Sequence, residues 1–131
     1  MIRTTCAYCG VAGHIRAFGE DIVPASYADL EQTDLIFLIG SNTAWCHPIV
    51  WQRIEAARSS RGTKLVVIDP RRTETAEGAD LHLAIRPGSD VALMNGLLAW
   101  CRDHGAVDEA YLAADVAVPA DFWDKLGEGN D

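Results

Sequence analysis

The sequence is short of positive charge. Eleven lysines and arginines stand against nineteen aspartates and glutamates, for a formal net charge of -8. Non-specific binding to nucleic acid works by neutralising phosphates with a surplus of Lys and Arg, so this balance argues against a nucleic-acid partner. A phosphate-bearing small molecule needs only local donors and stays open. Long apolar runs are missing as well. No stretch approaches a membrane span and the N-terminus carries no apolar signal core, so no membrane partner is expected and the cytoplasm is the expected compartment. Cysteine is sparse, with four in the chain. Cys6 and Cys9 form "CAYC", while Cys46 and Cys101 stand alone. Without a leader, a disulfide framework is the weaker expectation. There is no second CxxC, so local spacing assembles no four-thiolate site. The lone motif remains open between half of a zinc or iron–sulfur site and a redox dithiol. His14, His82 and His104 are scattered and suggest no metal cluster. GxGxxG, a Walker A loop with its lysine, internal repeats and low-complexity tracts are all absent.

What is present is an ordinary soluble composition, 49% hydrophobic and 23% charged, in 131 residues, enough to bury a core. Residues 1–30 are the least regular, and "GVAGHI" offers a poor helix start. Ser26 followed by Asp29 is a helix-start signal. "LIFLI", residues 35–39, is continuously apolar and β-forming, as expected for a strand covered on both faces. Gly40 ends it. Pro48 suits a first helical turn, Val50, Ile54 and Ala57 follow at helical spacing, and "SSRG" closes the helix. "KLVVID" is a second buried-type strand, stopped by Pro70. Strand, helix and strand with short connections make a βαβ unit with parallel strands.

Further on, "RRTETAEGAD" is a polar connection with room for a short helix. "LHLAIR" alternates as a third strand nearer an edge. "VALMNGLLAWCRDHG" is the strongest helix signal, capped by Ser89 or Asp90, with an apolar stripe of Val91, Met94, Leu97, Leu98 and Cys101. Gly96 inside it suggests close packing on the sheet. "VDEAYLAAD" predicts another helix, and "GEGND" a frayed end. The expected fold class is α/β: an open, mainly parallel sheet in a βαβ, Rossmann-like, three-layer arrangement.

In such sheets the carboxyl ends of the strands share one edge, where ligands bind. Three loops follow the three strands: "GSNTAWCHP", "DPRRTET" and "PGSD". In the first, Gly40 permits a tight turn, and Ser41, Asn42 and Thr43 offer short polar groups suited to a pyrophosphate. In the second, Asp69 can accept from ribose hydroxyls, and Arg71 and Arg72 can pair with phosphate or stack on a base. In the third, Gly88 permits close approach and Asp90 can take the N1–H and amino donors of a guanine. Singly, each loop is better read as a polar turn or an N-cap; together they favour a nucleotide-sized ligand. Cys46 and His47 are adjacent, so their side chains point apart, and a first-turn role is expected rather than a nucleophile–base pair. The tryptophans at 45, 51, 100 and 123 are read as packing groups rather than base-stacking platforms.

"DLIFLIGSNTAWCHPIVWQRI", "KLVVIDPRRTETAEGADLHLAIRPGSDVALMNGLL" and "VDEAYLA" closely resemble the catalytic subunit of bacterial assimilatory nitrate reductases. These belong to the molybdopterin oxidoreductase family, which uses a bis(molybdopterin guanine dinucleotide) cofactor. "RAFGEDIVPASYADLEQTD" resembles the segment just upstream, so the likeness runs from about residue 15 to the end. It implies that Gly40, Ser41, Asn42 and Thr43 hold the dinucleotide's phosphates. Ile68, Asp69, Pro70, Arg71 and Arg72 would lie against the guanosine, and Gly88, Ser89 and Asp90 at its guanine end. Cys46 is not at the position of the molybdenum ligand. Cys6 and Cys9 resemble the first two cysteines of the family's [4Fe-4S] motif, whose other two do not follow here.

The resemblance therefore implies residues 1–14 as a remnant of the iron–sulfur motif and residues 15–131 as a dinucleotide-binding α/β domain. The whole resembles an internally deleted, C-terminally truncated relative of the enzyme. No catalytic residue is assigned, the cluster is not expected to assemble, and the isolated chain is expected not to reduce nitrate to nitrite. Two alternatives stand beside this reading: a stand-alone guanine-nucleotide or cofactor-binding module, and a CxxC redox or metal-binding protein. Surface that a larger enzyme would bury, with an unpaired edge strand, makes self-association an expectation.

Overall fold

Three parallel strands carry the architecture. The computed structural model describes residues 7–23 and 25–127, with backbone alone at 7–10 and 127. β1 (Leu35–Ile39) pairs with β2 (Lys64–Ile68), and β2 with β3 (Leu81–Leu83), in the order β1-β2-β3. The chain divides into two compact units, Met1–Pro87 and Gly88–Asp131.

In the first unit, the sheet is joined by α1 (Ala7–Phe18), α2 (Tyr27–Gln32), α3 (Thr43–Cys46), α4 (Pro48–Arg61) and α5 (Glu74–Glu77). α2 begins as its sequence signal indicates: the Asp29 carboxylate accepts from the Ser26 N–H at 2.5 Å and from its hydroxyl at 2.9 Å. α4 opens with Pro48, whose missing N–H costs nothing in a first turn, and closes at Gly62, left-handed at φ 76°. The helix crosses between β1 and β2 and buries Ile54 and Ala57. Ile54 packs with Ile36, Leu65, Val67 and Ala76, and Leu30, Leu38, Val50, Trp51 and Ala79 flank this cluster. Register explains the grouping. Ile36 faces Leu65 and Leu38 faces Val67, so these four side chains share the sheet face that the helices cover.

At the amino ends of the strands, three stretches of chain are tied together. Thr63 Oγ1 donates to Thr33 O at 2.8 Å, Lys64 N to Asp34 O at 2.9 Å, and Asp80 accepts from Leu65 N at 2.9 Å and Lys64 Nζ at 3.0 Å. Arg58 adds a 3.1 Å contact to the same carboxylate. The Leu65 N–H bond, with Lys64 and Arg58 beside it, lowers the Asp80 pKa from 3.8 to about 2.

Several sequence expectations need correction here. Residues 7–18 form α1, although "GVAGHI" reads as a poor helix start; Gly19 at φ 85° ends the helix, and His14 Nε2 reaches Ile22 O at 2.7 Å. β1 is not covered on both faces. Leu35, Phe37 and Ile39 are 45–47% exposed, because the core-forming helices lie on the opposite face. Among the described strands only β2, the central one, is buried on both faces, from Leu65 to Ile68. β3 stops at Leu83 rather than Arg86. Beyond Ile68 the neighbouring chain soon reaches Pro70, which has no N–H for a ladder, and Ile85 N turns back onto Leu83 O at 3.0 Å.

The second unit holds α6 (Asp90–Asp103), α7 (Glu109–Asp115) and α8 (Phe122–Gly127). Ser89 stands at the N-cap of α6, and Gly105, at φ 66°, lies just beyond its end. Asp108 caps α7 by accepting from Tyr111 N at 2.9 Å. An apolar recess of about 350 Å³ lies among the helices, lined by Leu98, Cys101, Tyr111, Leu112, Phe122 and Trp123. The α6 stripe is therefore only half-buried, with Val91 and Leu97 exposed. Gly96 has nothing within 4 Å of where a Cβ would stand, so close packing does not account for it. α8 carries no strong sequence signal; residues 128–131 of "GEGND" lie outside the described residues. Among the described residues no helix is long and apolar enough to cross a membrane.

Candidate functional site

Parallel pairing puts the chain leaving β1 and the chain leaving β2 on one edge of the sheet. Gly40 N donates to Ile68 O at 2.8 Å, which extends the ladder by one bond and sets the two exits side by side. That bond takes the Gly40 N–H, so Gly40 serves the loop through its conformation. At φ 61° it adopts a backbone region that other residues enter at a cost, and a Cβ there would project into open space.

The next three residues are fixed by hydrogen bonds. Ser41 Oγ and Thr43 Oγ1 lie 2.9 Å apart, which uses one of their two hydroxyl protons and leaves one for another acceptor. Thr43 is buried, while Ser41 and Asn42 are half-buried. Asn42 occupies the N-cap position of α3 yet makes no capping bond. Its side-chain oxygen instead accepts from Thr75 Oγ1 at 2.9 Å, and Thr75 Oγ1 accepts from Ala44 N at 3.0 Å. Thr75 sits on α5 and is completely buried. A second link joins the same segments: Trp45 Nε1 donates to Glu74 Oε2 at 3.1 Å. Trp45 is 71% exposed, so its ring is not the packing group expected of it.

Ile68 and Asp69 are buried, and Pro70, Arg71 and Arg72 are exposed. Asp69 Oδ1 accepts from Arg71 N at 2.7 Å, a turn closed by the carboxylate itself. The Arg71 Nε lies 3.7 Å from the same oxygen, at the limit of an ion pair, with the side chain 77% exposed. His82 Nε2 donates to Asp69 O at 2.8 Å, anchoring the turn to β3. Thr73 Oγ1 is buried with no hydrogen-bond partner. This edge thus combines a primary amide, two hydroxyls, an orphaned third hydroxyl, one buried carboxylate and two exposed guanidinium groups. Such a set suits a ligand carrying both phosphate and hydroxyl groups.

The structure thus brings together residues 40–43 and residues 68–72. Gly88, Ser89 and Asp90 open the second unit, with Asp90 as the first residue of α6. Cys46 is exposed and ends α3, and His47 lies between α3 and α4, so neither belongs to the first turn of α4 as expected. Cys9 lies in α1 with its side chain undescribed, and Cys6 lies outside the described residues. Among the described residues no three His, Cys, Asp or Glu side chains gather as a metal site requires. Sequence reasoning missed Thr75. Its partners lie 31 and 33 residues away, and only the second threonine of "RRTET" hinted at anything beyond a polar connection.

Residues 3–114 match the family model for molybdopterin oxidoreductase. A nitrate reductase from Shewanella frigidimarina is 55% identical over 109 residues, 83% of this chain and 12% of its own length. The alpha subunit of an F420-dependent formate dehydrogenase from Methanococcus maripaludis is 41% identical over 102 residues, 78% of this chain and 15% of its own length. Among solved structures, acetylene hydratase from Pelobacter acetylenicus superposes with a TM-score of 0.61 at 32% identity, covering 79% of this chain and 14% of that one. The chain spans about an eighth to a seventh of the length of these proteins.

Proposed function

Because the chain belongs to the molybdopterin oxidoreductase family, we propose that it carries the phosphate- and ribose-binding portion of a site for a molybdenum-pterin cofactor in its guanine dinucleotide form. One observation carries this reading. Proteins named for nitrate reduction, formate dehydrogenation and acetylene hydration share this region, which favours a role in what they have in common over a role in any one reaction. The residues on the page fit the polar part of such a ligand. Ser41, Asn42 and Thr43 offer neutral donors to a pyrophosphate, and the exposed Arg71 and Arg72 supply cations. The Asp69 carboxylate suits ribose hydroxyls, and the orphaned Thr73 hydroxyl has a hydrogen bond still to make. Gly88, Ser89 and Asp90 are assigned to the guanine on the family resemblance, with Asp90 taking the N1–H and amino donors. Redox chemistry would come from the bound cofactor's metal, and this chain's residues bind and orient its far end.

For the parent enzyme of this region we propose the assimilatory, two-electron reduction of nitrate to nitrite, following the 55% identity to a nitrate reductase. The chain by itself is proposed to lack that activity. Calorimetric titration with GDP, paired with a nitrate-reduction assay using reconstituted cofactor and an artificial electron donor, tests both parts. Binding that weakens with added salt, and no nitrite above background, is the expected pair. No heat at millimolar GDP sinks the site assignment; nitrite formation sinks the assignment of inactivity.

A further inference from the structure

We propose that Thr75 is a positioning residue that fixes which end of the Asn42 amide faces outward, and so makes the first loop a donor to anions. The inference rests on the reading of residues 40–43 as a phosphate-holding loop. Its argument is one of hydrogen-bond direction. The Ala44 N–H can only donate, so it gives its proton to Thr75 Oγ1 at 3.0 Å. The Thr75 hydroxyl has one proton, which goes to the Asn42 oxygen at 2.9 Å. That oxygen is then engaged on the protein side, and the two Nδ2 protons are left for the other side. Thr75 is fully buried, so water does not compete for either bond.

The arrangement also explains why Asn42 stands at an N-cap position without capping. Asparagine oxygens ordinarily accept from the second or third N–H of the helix they precede. Here Thr75, from α5, takes the Ala44 N–H in its place. A capping Asn42 would hold its oxygen close to its own helix, with no neighbour to fix its amide protons outward. With Thr75 in the role, the amide has one favoured orientation and presents donors to the pyrophosphate.

Thr75→Val removes both bonds at nearly constant volume, Thr75→Ser keeps them, and Asn42→Asp keeps the Thr75 bond while presenting an oxygen and a negative charge. Hydrogen exchange at the Ala44 amide reports the relay without any ligand, and titration with GDP and with guanosine reports its use. The expected result is faster Ala44 exchange in Thr75→Val and wild-type exchange in Thr75→Ser. The preference for GDP over guanosine should fall about tenfold in Thr75→Val, as loss of one donor to a charged group implies, and be kept in Thr75→Ser. Asn42→Asp should lose GDP affinity by at least about tenfold and leave guanosine binding near wild type. Unchanged Ala44 exchange in a folded Thr75→Val overturns the proposal. Equal weakening of GDP and guanosine in that variant also overturns it, because it marks Thr75 as scaffold only. Should wild type bind neither, the phosphate reading of the loop and the donor role of Asn42 fail together, and Ala44 exchange still decides whether Thr75 accepts from that amide.

Discussion

Gly40 and Gly62 form a matched pair for separating backbone strain from ligand contact. Both belong to the first unit, both are left-handed, at φ 61° and 76°, and neither has an atom within 4 Å of a built Cβ. Gly40 follows β1 and Gly62 precedes β2, so in a parallel sheet they lie at opposite edges. Replacing either by alanine forces an L side chain into the left-handed region, a cost of roughly 1–2 kcal/mol. The alanine also restricts the unfolded chain, which returns about 0.4–1 kcal/mol. The net destabilisation is therefore about 1 kcal/mol at each site, read from urea unfolding followed by circular dichroism. Binding should part company with stability. The Gly40→Ala methyl projects into the space where a phosphate would approach, and affinity for GDP should drop about tenfold, on the order of 1.4 kcal/mol. Gly62→Ala should bind GDP as wild type does. Equal affinity losses in the two variants, or none in Gly40→Ala despite its destabilisation, would refute the placement of the ligand at this edge.

Ile54→Ala, a truncation at the centre of the core, should cost about 2–5 kcal/mol in the same unfolding assay, whereas Phe37→Ala, on the half-exposed sheet face, should cost about 1 kcal/mol. A reversed order would mean that the two faces of the sheet have been misassigned. Asp80 has its pKa lowered from 3.8 to about 2, so its charged form stabilises the fold above the ordinary carboxylate range and that contribution disappears as pH falls through about 2. Thermal melts between pH 5 and pH 2 should show a shallower decline in Asp80→Asn than in wild type, with the variant less stable at neutral pH; parallel declines would contradict the linkage. Cys46→Ser should leave both melting temperature and GDP affinity unchanged, since the thiol is exposed at the end of α3.

Local grammar made much of the first unit legible. Pro48 and Gly62 bracket α4, Ser26 and Asp29 open α2, and the apolar runs at 35–39 and 64–68 become paired strands, because each signal acts within a turn or a strand of its own chain. The loops leaving β1 and β2 were legible for the same reason: parallel pairing follows from strand, helix and strand in succession. Coverage of the sheet faces was not. Leu35, Phe37 and Ile39 are as apolar as Ile36 and Leu38, and hydropathy alone does not reveal which set the helices meet. Thr75 escaped because a hydroxyl that caps another element 31 residues away leaves no periodic mark. α1 escaped because its two glycines at 10 and 13 read as loop residues.

The ties among Thr33, Asp34, Thr63, Lys64, Leu65 and Asp80 give the sheet a hinge-free heel. These bonds reinforce strand register at the edge away from the loops. Substitutions and conformational adjustments in residues 40–43 or 69–73 can therefore be tolerated without sliding one strand past its neighbour. In a scaffold built this way, change at the toe of the sheet leaves the bonds of the heel in place to hold the alignment.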